Sequence, residues 1–229
     1  MRVAVLGPVA VWQAGQPIDL GGPKPRTLLA ALALHAGRAV PPDRIIELIW
    51  SGRPPAAAMA SLQTYVAKLR QGLDPTRASR TPSTVLVTSA AGYALHVPDD
   101  ALDARQFGAA VERAHRLLPR TPNALPQPPD GIGVQSLTEL RGVISQALSL
   151  WRDVPYPELP DDDTAAAERA RLQGLRLLAV EDLALVRIAL GEETAVAGDV
   201  QAAIAEHPLR ESLWALREAR PSTARRDSR

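Results

Sequence analysis

Hydroxyl, amide and ammonium groups recur at helical spacing in residues 56–73, AAAMASLQTYVAKLRQGL, and no carboxylate follows before Asp74. The polar face of this segment comprises Ser61, Thr64, Ala67, Lys68 and Gln71. Such groups donate hydrogen bonds to phosphate oxygens and to the acceptor edges of bases in a DNA major groove. The alternative is an ordinary solvated helix face, and this segment alone does not decide between the two.

An apolar stripe on the same segment must position the polar face. Leu62, Val66, Leu69 and Leu73 recur at i, i+4, i+7 and i+11, which places them on one side of a helix. The spacing therefore predicts a helix that buries this stripe against a core and leaves the polar side chains outside.

Turn residues divide the first 97 residues into short elements around that helix. Alternating apolar residues predict three strands, at residues 3–6, 9–12 and 17–20. Proline near the start and glycine after the end predict two earlier helices, at residues 25–36 and 41–50. A last alternating segment predicts a hairpin at residues 83–97. Strands, three helices and a terminal hairpin in this order indicate a winged helix-turn-helix of the α+β class.

The charge of the chain is divided unevenly between its two parts. Residues 1–97 carry ten Lys and Arg against four Asp and Glu, a net charge of +6. Residues 98–218 have a net charge of −8. A basic first domain followed by an acidic second one predicts that only the first faces a polyanion.

Composition excludes several classes of protein. The 229 residues include no cysteine, so disulfides, zinc knuckles and thiol catalysis are excluded. No apolar run approaches the roughly 20 residues of a membrane span, and the first twelve residues alternate like a strand rather than a signal peptide. We therefore expect a soluble, cytoplasmic, nucleoid-associated protein with no membrane contact.

The second part of the chain reads as helical. Two apolar faces have helical spacing, at Phe107, Val111, Ala114 and Leu118, and at Leu140, Ile144, Ala147 and Trp151. Apolar residues from Leu172 to Val186 predict a long buried helix. Residues 119–133 contain five prolines and predict a loop, and residues 220–229 predict a disordered basic tail.

Five strings in order across residues 1–97 resemble the OmpR/PhoB-type DNA-binding domain, in the form found in Streptomyces antibiotic regulatory proteins. They are LGPVAVW, LGGPKPRTLLAALALHAGR, PPDRIIELIW, SLQTYVAKLRQGL and AGYAL. Residues 98–219 resemble the bacterial transcriptional activation domain of that family, an all-α, tetratricopeptide-like module. The resemblance covers about residues 1–217 and implies a domain boundary at residue 97.

The resemblance implies a set of DNA-binding residues. In related proteins the positions of Ser61, Thr64 and Lys68 face base edges, and those of Trp50, Tyr65 and Arg70 face phosphates. Tyr93 matches the tyrosine after the wing of the family. Core packing is the alternative for Trp50, Tyr65 and Tyr93. The loop that meets RNA polymerase in related proteins corresponds to Ser51, Gly52, Arg53, Pro54 and Pro55.

Four positions depart from the family pattern. Met59, Ala60 and Ala67 stand where relatives often carry basic or polar side chains, and no basic residue lies near Ser89 in the wing. Fewer cationic contacts predict weaker DNA affinity and a shallower dependence on salt than in a typical member.

No arrangement of residues predicts catalysis or a cofactor. The four histidines are scattered, at positions 35, 96, 115 and 207, without metal-ligand spacing. Asp161, Asp162 and Asp163 could be read as a metal site, but acidic residues at the start of a helix explain them better. We expect no enzyme activity, no metal and no cofactor.

Two functions are consistent with the sequence. The first is a sequence-specific transcriptional activator that binds direct repeats in double-stranded DNA as a homodimer and recruits RNA polymerase, including its sigma factor. The second is a protein-interaction regulator that binds DNA weakly or not at all and modulates a full-length relative. The sparse charge on the recognition helix and in the wing motivates the second function.

Overall fold

A computed structural model of the protein describes residues 1–75, 78, 81–118 and 131–218. The predicted basic tail and most of the predicted 119–133 loop lie outside these residues. The chain divides into two compact units. Unit 1 contains Met1–Gln106 and Trp151–Leu172, and unit 2 contains Phe107–Leu150 and Gln173–Arg229.

A three-stranded antiparallel sheet opens unit 1. Its strands are β1 (Arg2–Ala4), β2 (Ala10–Gln13) and β3 (Gln16–Pro17). Ala14 and Gly15 join β2 to β3 in a two-residue turn, and both have positive φ, as such tight hairpins require. β1 and β3 are shorter than predicted and β2 is shifted by one residue, because residues 5–9 and 18–20 lie in the connections.

Three helices follow the sheet in the predicted order. They are α1 (Pro23–Leu34), α2 (Pro42–Trp50) and α3 (Ala58–Leu73). α1 begins two residues before the predicted start, because proline fits the first turn of a helix, where its missing N–H has no intrahelical partner anyway. On α3 the predicted stripe is buried, with Leu62, Val66, Leu69 and Leu73 at most 2% exposed.

The predicted hairpin forms the wing. Its strands are β4 (Leu86–Ser89) and β5 (Gly92–Leu95), paired in antiparallel register. β5 also pairs with Val40, which exchanges backbone hydrogen bonds of 2.8 and 3.1 Å with Tyr93. Gly92 makes this approach possible, because a Cβ built there would lie 2.1 Å from the Val40 carbonyl oxygen.

The residues after the wing return to the first sheet. Leu102 forms a parallel bridge with Val3, after a 3-10 helix at Asp99–Ala101. Asp103, 2% exposed, begins α4 (Asp103–Leu117), and its carboxylate accepts hydrogen bonds of 2.8 and 3.1 Å from the N–H groups of Val5 and Leu6.

A distant segment also packs within unit 1. In Trp151–Leu172, the Tyr156 N–H donates to the Val5 carbonyl at 2.8 Å, and the Glu158 carboxylate accepts from the Val9 N–H at 2.7 Å. Asp162 accepts from the Ala165 N–H at 2.7 Å and pairs with Arg44 at 2.6 Å. Asp162 therefore caps the helix that begins at Asp163. This agrees with the prediction that these acidic residues serve a helix start rather than a metal site. The domain boundary at residue 97 stays a prediction, since unit 1 ends its first segment at Gln106 and also includes Trp151–Leu172.

Unit 2 is helical. Its complete helices are α5 (Val134–Leu148), α7 (Glu193–Glu206) and α8 (Glu211–Glu218). It also contains the part of α4 that begins at Phe107 and the part of α6 (Asp163–Ala189) that begins at Gln173. The predicted face of α4 is buried, and so are Leu140, Ile144 and Ala147 on α5. The inclusion of Trp151 in that second face was wrong, because α5 ends at Leu148 and Trp151 belongs to unit 1.

Two buried carboxylates lie next to each other on α6. Glu181 accepts hydrogen bonds from the Arg210 guanidinium at 2.8 and 3.2 Å and one from the Ser212 hydroxyl, at the start of α8. Asp182 lies 2.9 Å from Nδ1 of His115 on α4. Ionic groups thus connect the helices of unit 2 alongside its apolar core.

Candidate nucleic-acid interface

The outward side of α3 is a stripe of exposed small and polar residues. Ala60, Thr64, Ala67 and Gln71 follow the same i, i+4, i+7, i+11 spacing as the buried stripe, two residues out of step with it, and all four are exposed. This places them on the opposite side of the helix. The Thr64 hydroxyl donates to the Ala60 carbonyl at 3.0 Å and keeps its oxygen available as an acceptor. Gln71 adds an amide at the C-terminal end of this stripe.

Lys68 lies to one side of the outward stripe, over the turn before α1. A Cβ built on Gly21 would come within 2.6 Å of the Lys68 ammonium nitrogen, so the lysine packs against bare backbone there. Gly21 also has a φ of +83°, which favours glycine. The turn therefore leaves space for the Lys68 side chain, and a side chain at residue 21 would reduce that space.

Trp50 and Tyr65 stack on the same side of α3. Their ring centroids are 6.2 Å apart with an interplanar angle of 25°, and both rings are half-buried. The Lys24 ammonium of α1 lies 5.0 Å from the centre of the Trp50 ring. The aromatic pair thus joins the end of α2 to the middle of α3 and carries a cation at its edge.

Arg70 faces the wing on the other side of α3. Its Nε donates to the Leu86 carbonyl at 2.9 Å and its terminal nitrogen donates to the Thr88 hydroxyl at 2.6 Å. Arg70 is predicted to contact a phosphate, but its guanidinium already donates hydrogen bonds to β4. These bonds place Arg70 to fix the angle of the wing.

The wing itself presents few groups to a partner. Tyr93 is 9% exposed, which favours the core-packing alternative for its ring. Residues 89–91 at the tip are exposed, and the Ser89 hydroxyl is occupied by local bonds to Ala91 N–H and the Gly92 carbonyl.

The loop between α2 and α3 is exposed over residues 51–55. Ser51 and Gly52 have φ values of +49° and +78°, and the Arg53 N–H donates to the Trp50 carbonyl at 3.0 Å. The loop is thus an exposed turn with a defined backbone, and its contact with RNA polymerase stays a prediction.

Some cations of unit 1 are already paired. Arg26 donates to the carbonyls of Gly21 and Val9, and Arg44 pairs with Glu47 and Asp162. Within residues 1–75, five cationic side chains make neither a hydrogen bond nor an ion pair with described residues: Arg2, Lys24, Arg38, Arg53 and Lys68. The sequence gives the sum of the charges, whereas the structure identifies those that remain available to a phosphate.

His35 adds no charge to unit 1 at neutral pH. Burial, together with the nearby Arg38 and Arg44, lowers the pKa of His35 below its ordinary value. Among the described residues, no group of three His, Asp or Glu is arranged to hold a metal ion. No helix in the described part of the chain has the length and apolar character to cross a membrane.

Unit 2 offers a second concave surface. A groove of about 550 Å³ lies along α5, α6 and α7. Its apolar wall is formed by Leu148, Leu177, Val180, Leu183, Val196 and Ala203. Such a surface suits a partner with an apolar side chain or helix face.

Comparison with known families gives two matches. The family described as Transcriptional regulatory protein, C terminal, matches residues 15–95, and that described as Bacterial transcriptional activator domain matches residues 135–220. These matches confirm the predicted fold class, a winged helix-turn-helix followed by a helical domain.

Two regulators of Streptomyces are similar over nearly the whole chain. Regulatory protein AfsR of Streptomyces coelicolor is 31% identical over 217 residues, which cover 93% of this chain and 19% of AfsR. Regulatory protein DnrI of Streptomyces peucetius is 29% identical over 218 residues, or 94% of this chain and 75% of DnrI. The chain therefore spans about one fifth of the first relative and three quarters of the second.

A solved structure has the same fold. It is that of Mycobacterium tuberculosis EmbR in complex with a low affinity phosphopeptide, with a TM-score of 0.75 and 30% identity. The similarity covers 94% of this chain and 53% of the EmbR chain.

Proposed function

The chain belongs to the Streptomyces antibiotic regulatory protein family of transcriptional regulators, and from that premise we propose that it is a sequence-specific DNA-binding activator. The observation that carries this proposal is the exposed outward stripe of α3, which no carboxylate interrupts and which free cations flank. On this proposal unit 1 binds direct repeats near a promoter as part of a homodimer, in the cytoplasm at the nucleoid.

The outward stripe of α3 fits a role in reading bases. Thr64 offers a methyl group for thymine and a hydroxyl oxygen, and Gln71 offers the amide that pairs bidentately with adenine. Ser61, half-buried at the edge of the stripe, has a hydroxyl that could reach either base or phosphate. Gln71 lies on the predicted polar face of this segment but was not among the predicted DNA contacts. Its exposure at the C-terminal end of the stripe adds it to them.

The exposed loop at residues 51–55 fits a role in polymerase contact. It follows the end of α2 and carries the free cation Arg53. We propose that this loop meets RNA polymerase or its sigma factor while α3 lies in the groove. The apolar groove of unit 2 supports a further protein contact.

A competition gel shift tests DNA recognition. Labelled duplex from the region upstream of the protein's own gene is titrated with the full chain, and unlabelled specific or unrelated duplex is added. We expect the unrelated duplex to compete at least about 1,000-fold less well. Thr64→Ala and Gln71→Ala should each weaken specific binding by about tenfold, since a base contact contributes roughly 1–3 kcal/mol. Thr138→Ala, an exposed position on α5, is the matched control and should bind like the wild type.

Equal competition by the two duplexes would overturn the proposal of sequence-specific binding. The engagement of Arg70 with the wing and the lack of a cation at residues 89–91 favour the second candidate, an interaction regulator that does not bind DNA productively. That candidate predicts no shift of either duplex. It also predicts that the chain alters the DNA-binding curve of a full-length relative such as DnrI.

A further inference from the structure

Four side chains from three helices place unused hydrogen-bond donors on one surface of unit 1. They are the ammonium groups of Lys24 and Lys68, the indole N–H of Trp50 and the phenol O–H of Tyr65. Within the described residues none of the four makes a hydrogen bond, and no carboxylate pairs with either lysine. A surface that offers donors and no countercharge is suited to an anion with several acceptor oxygens.

The four side chains are held together by contacts rather than by sequence. Lys24 lies 5.0 Å from the Trp50 ring, and that ring is 6.2 Å from the ring of Tyr65. Tyr65 and Lys68 are three residues apart on α3, so they share one side of the helix. The Lys68 ammonium in turn lies against Gly21, three residues before Lys24 in the chain.

The neighbouring carboxylate forms no ion pair with either lysine. Asp19 precedes the Gly21 turn, and its carboxylate accepts the Gly21 N–H at 2.8 Å. Neither ammonium group forms an ion pair with a described residue, and contacts with the aromatic pair and the Gly21 turn place both on one surface. An anion bound at this surface is attracted by both, which is the electrostatic condition of a phosphate-binding surface.

We propose that Lys24, Trp50, Tyr65 and Lys68 form a single backbone clamp that binds the phosphates of one DNA strand. This inference rests on the proposed DNA-binding function and changes one of its parts. Lys68, which the family resemblance places at base edges, holds the strand together with Lys24, a residue that the resemblance does not single out. Base reading is left to the outward stripe of α3.

The clamp has a thermodynamic signature that separates it from base reading. A phosphate contact contributes to binding of any duplex and releases counterions, so its loss lowers affinity for specific and unrelated DNA alike. The slope of log K against log salt falls by about 0.9 for each contact removed. A base contact, by contrast, affects the specific duplex and leaves the slope nearly unchanged.

Salt titrations of the full chain, followed by fluorescence anisotropy, test the clamp. The probes are the labelled upstream duplex and an unrelated duplex of the same length, from about 50 to 200 mM salt. Lys24→Gln and Lys68→Gln should each weaken binding to both probes about fivefold and reduce the slope by ~0.9, and the double variant should reduce it by ~1.8. Lys24→Arg and Lys68→Arg should restore the slope. Thermal unfolding by circular dichroism verifies that each variant is folded.

Arg38→Gln is the matched control, because Arg38 is equally free but lies beyond the opposite end of α1, a helix roughly 18 Å long. If Lys24→Gln changes the slope no more than Arg38→Gln does, the clamp is overturned and the proposed function stands. If Lys68→Gln weakens only the specific complex, Lys68 reads bases and the clamp is again overturned. If the wild type binds neither probe, the proposed function itself fails.

Discussion

The Arg70 guanidinium donates a hydrogen bond of 2.6 Å to the Thr88 hydroxyl, and so connects the recognition helix to the first strand of the wing. Its Nε donates to the Leu86 carbonyl of the same strand at 2.9 Å. Two bonds from a planar guanidinium fix direction as well as distance, which a single ammonium cannot do.

We expect Arg70→Lys and Arg70→Gln to loosen the wing to a similar extent. Each loses the paired bonds, and a charge-assisted hydrogen bond contributes roughly 1.5–3 kcal/mol, so amide hydrogen exchange in β5 should accelerate by about tenfold or more. Arg53→Gln, in the exposed loop, should leave this exchange unchanged. Full protection in Arg70→Lys would show that the charge matters and the geometry does not.

Gly92→Ala should destabilise unit 1 strongly. The added Cβ would lie 2.1 Å from the Val40 carbonyl oxygen, and the residue has a φ of +130°. Strain and displaced backbone together should cost about 3 kcal/mol, or a fall of roughly 6–12 °C in the melting temperature.

Gly37→Ala is the control for that variant. Gly37 also has positive φ, +85°, but a Cβ there would meet no atom within 4 Å. Its cost should be about 1 kcal/mol, the price of conformation alone. Equal melting temperatures for the two variants would contradict the role assigned to the contact between β5 and Val40.

Asp103 should make stability depend on pH in an unusual direction. Burial raises the pKa of its carboxyl above the ordinary value of 3.8, and this outweighs the hydrogen bonds from Val5 and Leu6. The folded state then holds the proton more tightly than the unfolded state does. The stabilisation that this provides is present below pH 3.8 and is lost as the pH rises through the folded pKa.

A comparison of the wild type with Asp103→Asn isolates this effect, because every other carboxyl is common to both proteins. Denaturant unfolding at a series of pH values should show the wild type gaining stability relative to the variant as the pH falls from 7 toward 4. A constant difference across that range would contradict a raised pKa.

Arg53→Ala should separate activation from DNA binding. The loop at residues 51–55 is exposed and Arg53 has no ion pair with described residues, so its removal leaves the fold intact. We expect activated transcription in a purified system to fall about tenfold, the effect of losing ~1.4 kcal/mol of polymerase contact. The specific gel shift should change by less than about twofold. A parallel loss of both activities would place Arg53 on DNA instead.

Local patterns predicted the elements that position the interface. The proline pair before α2 and the Trp-Ser-Gly string after it gave both ends of that helix, because these signals act within a few residues. The period of Leu62, Val66 and Leu69 gave the buried side of α3 for the same reason.

Partners that lie far apart in the sequence could not be predicted in this way. Periodicity places Lys68 on a polar face, but the backbone of Gly21, which receives its ammonium, is 47 residues earlier. Arg70 finds its acceptors on a strand 16 and 18 residues away. Nothing in residues 151–172 alone indicates that Glu158 will meet the Val9 N–H.

The interleaving of Trp151–Leu172 with the first 106 residues has a consequence for how such genes recombine. A crossover with a single junction after the wing transfers the sheet and the three helices but leaves behind the acceptor for the Val9 N–H and the partner of Arg44. A chimera assembled in that way inherits those two groups unsatisfied unless the incoming sequence supplies equivalents. Exchange of DNA specificity among relatives should therefore be tolerated best when it is confined to α3, whose outward stripe can change without disturbing any of these pairings.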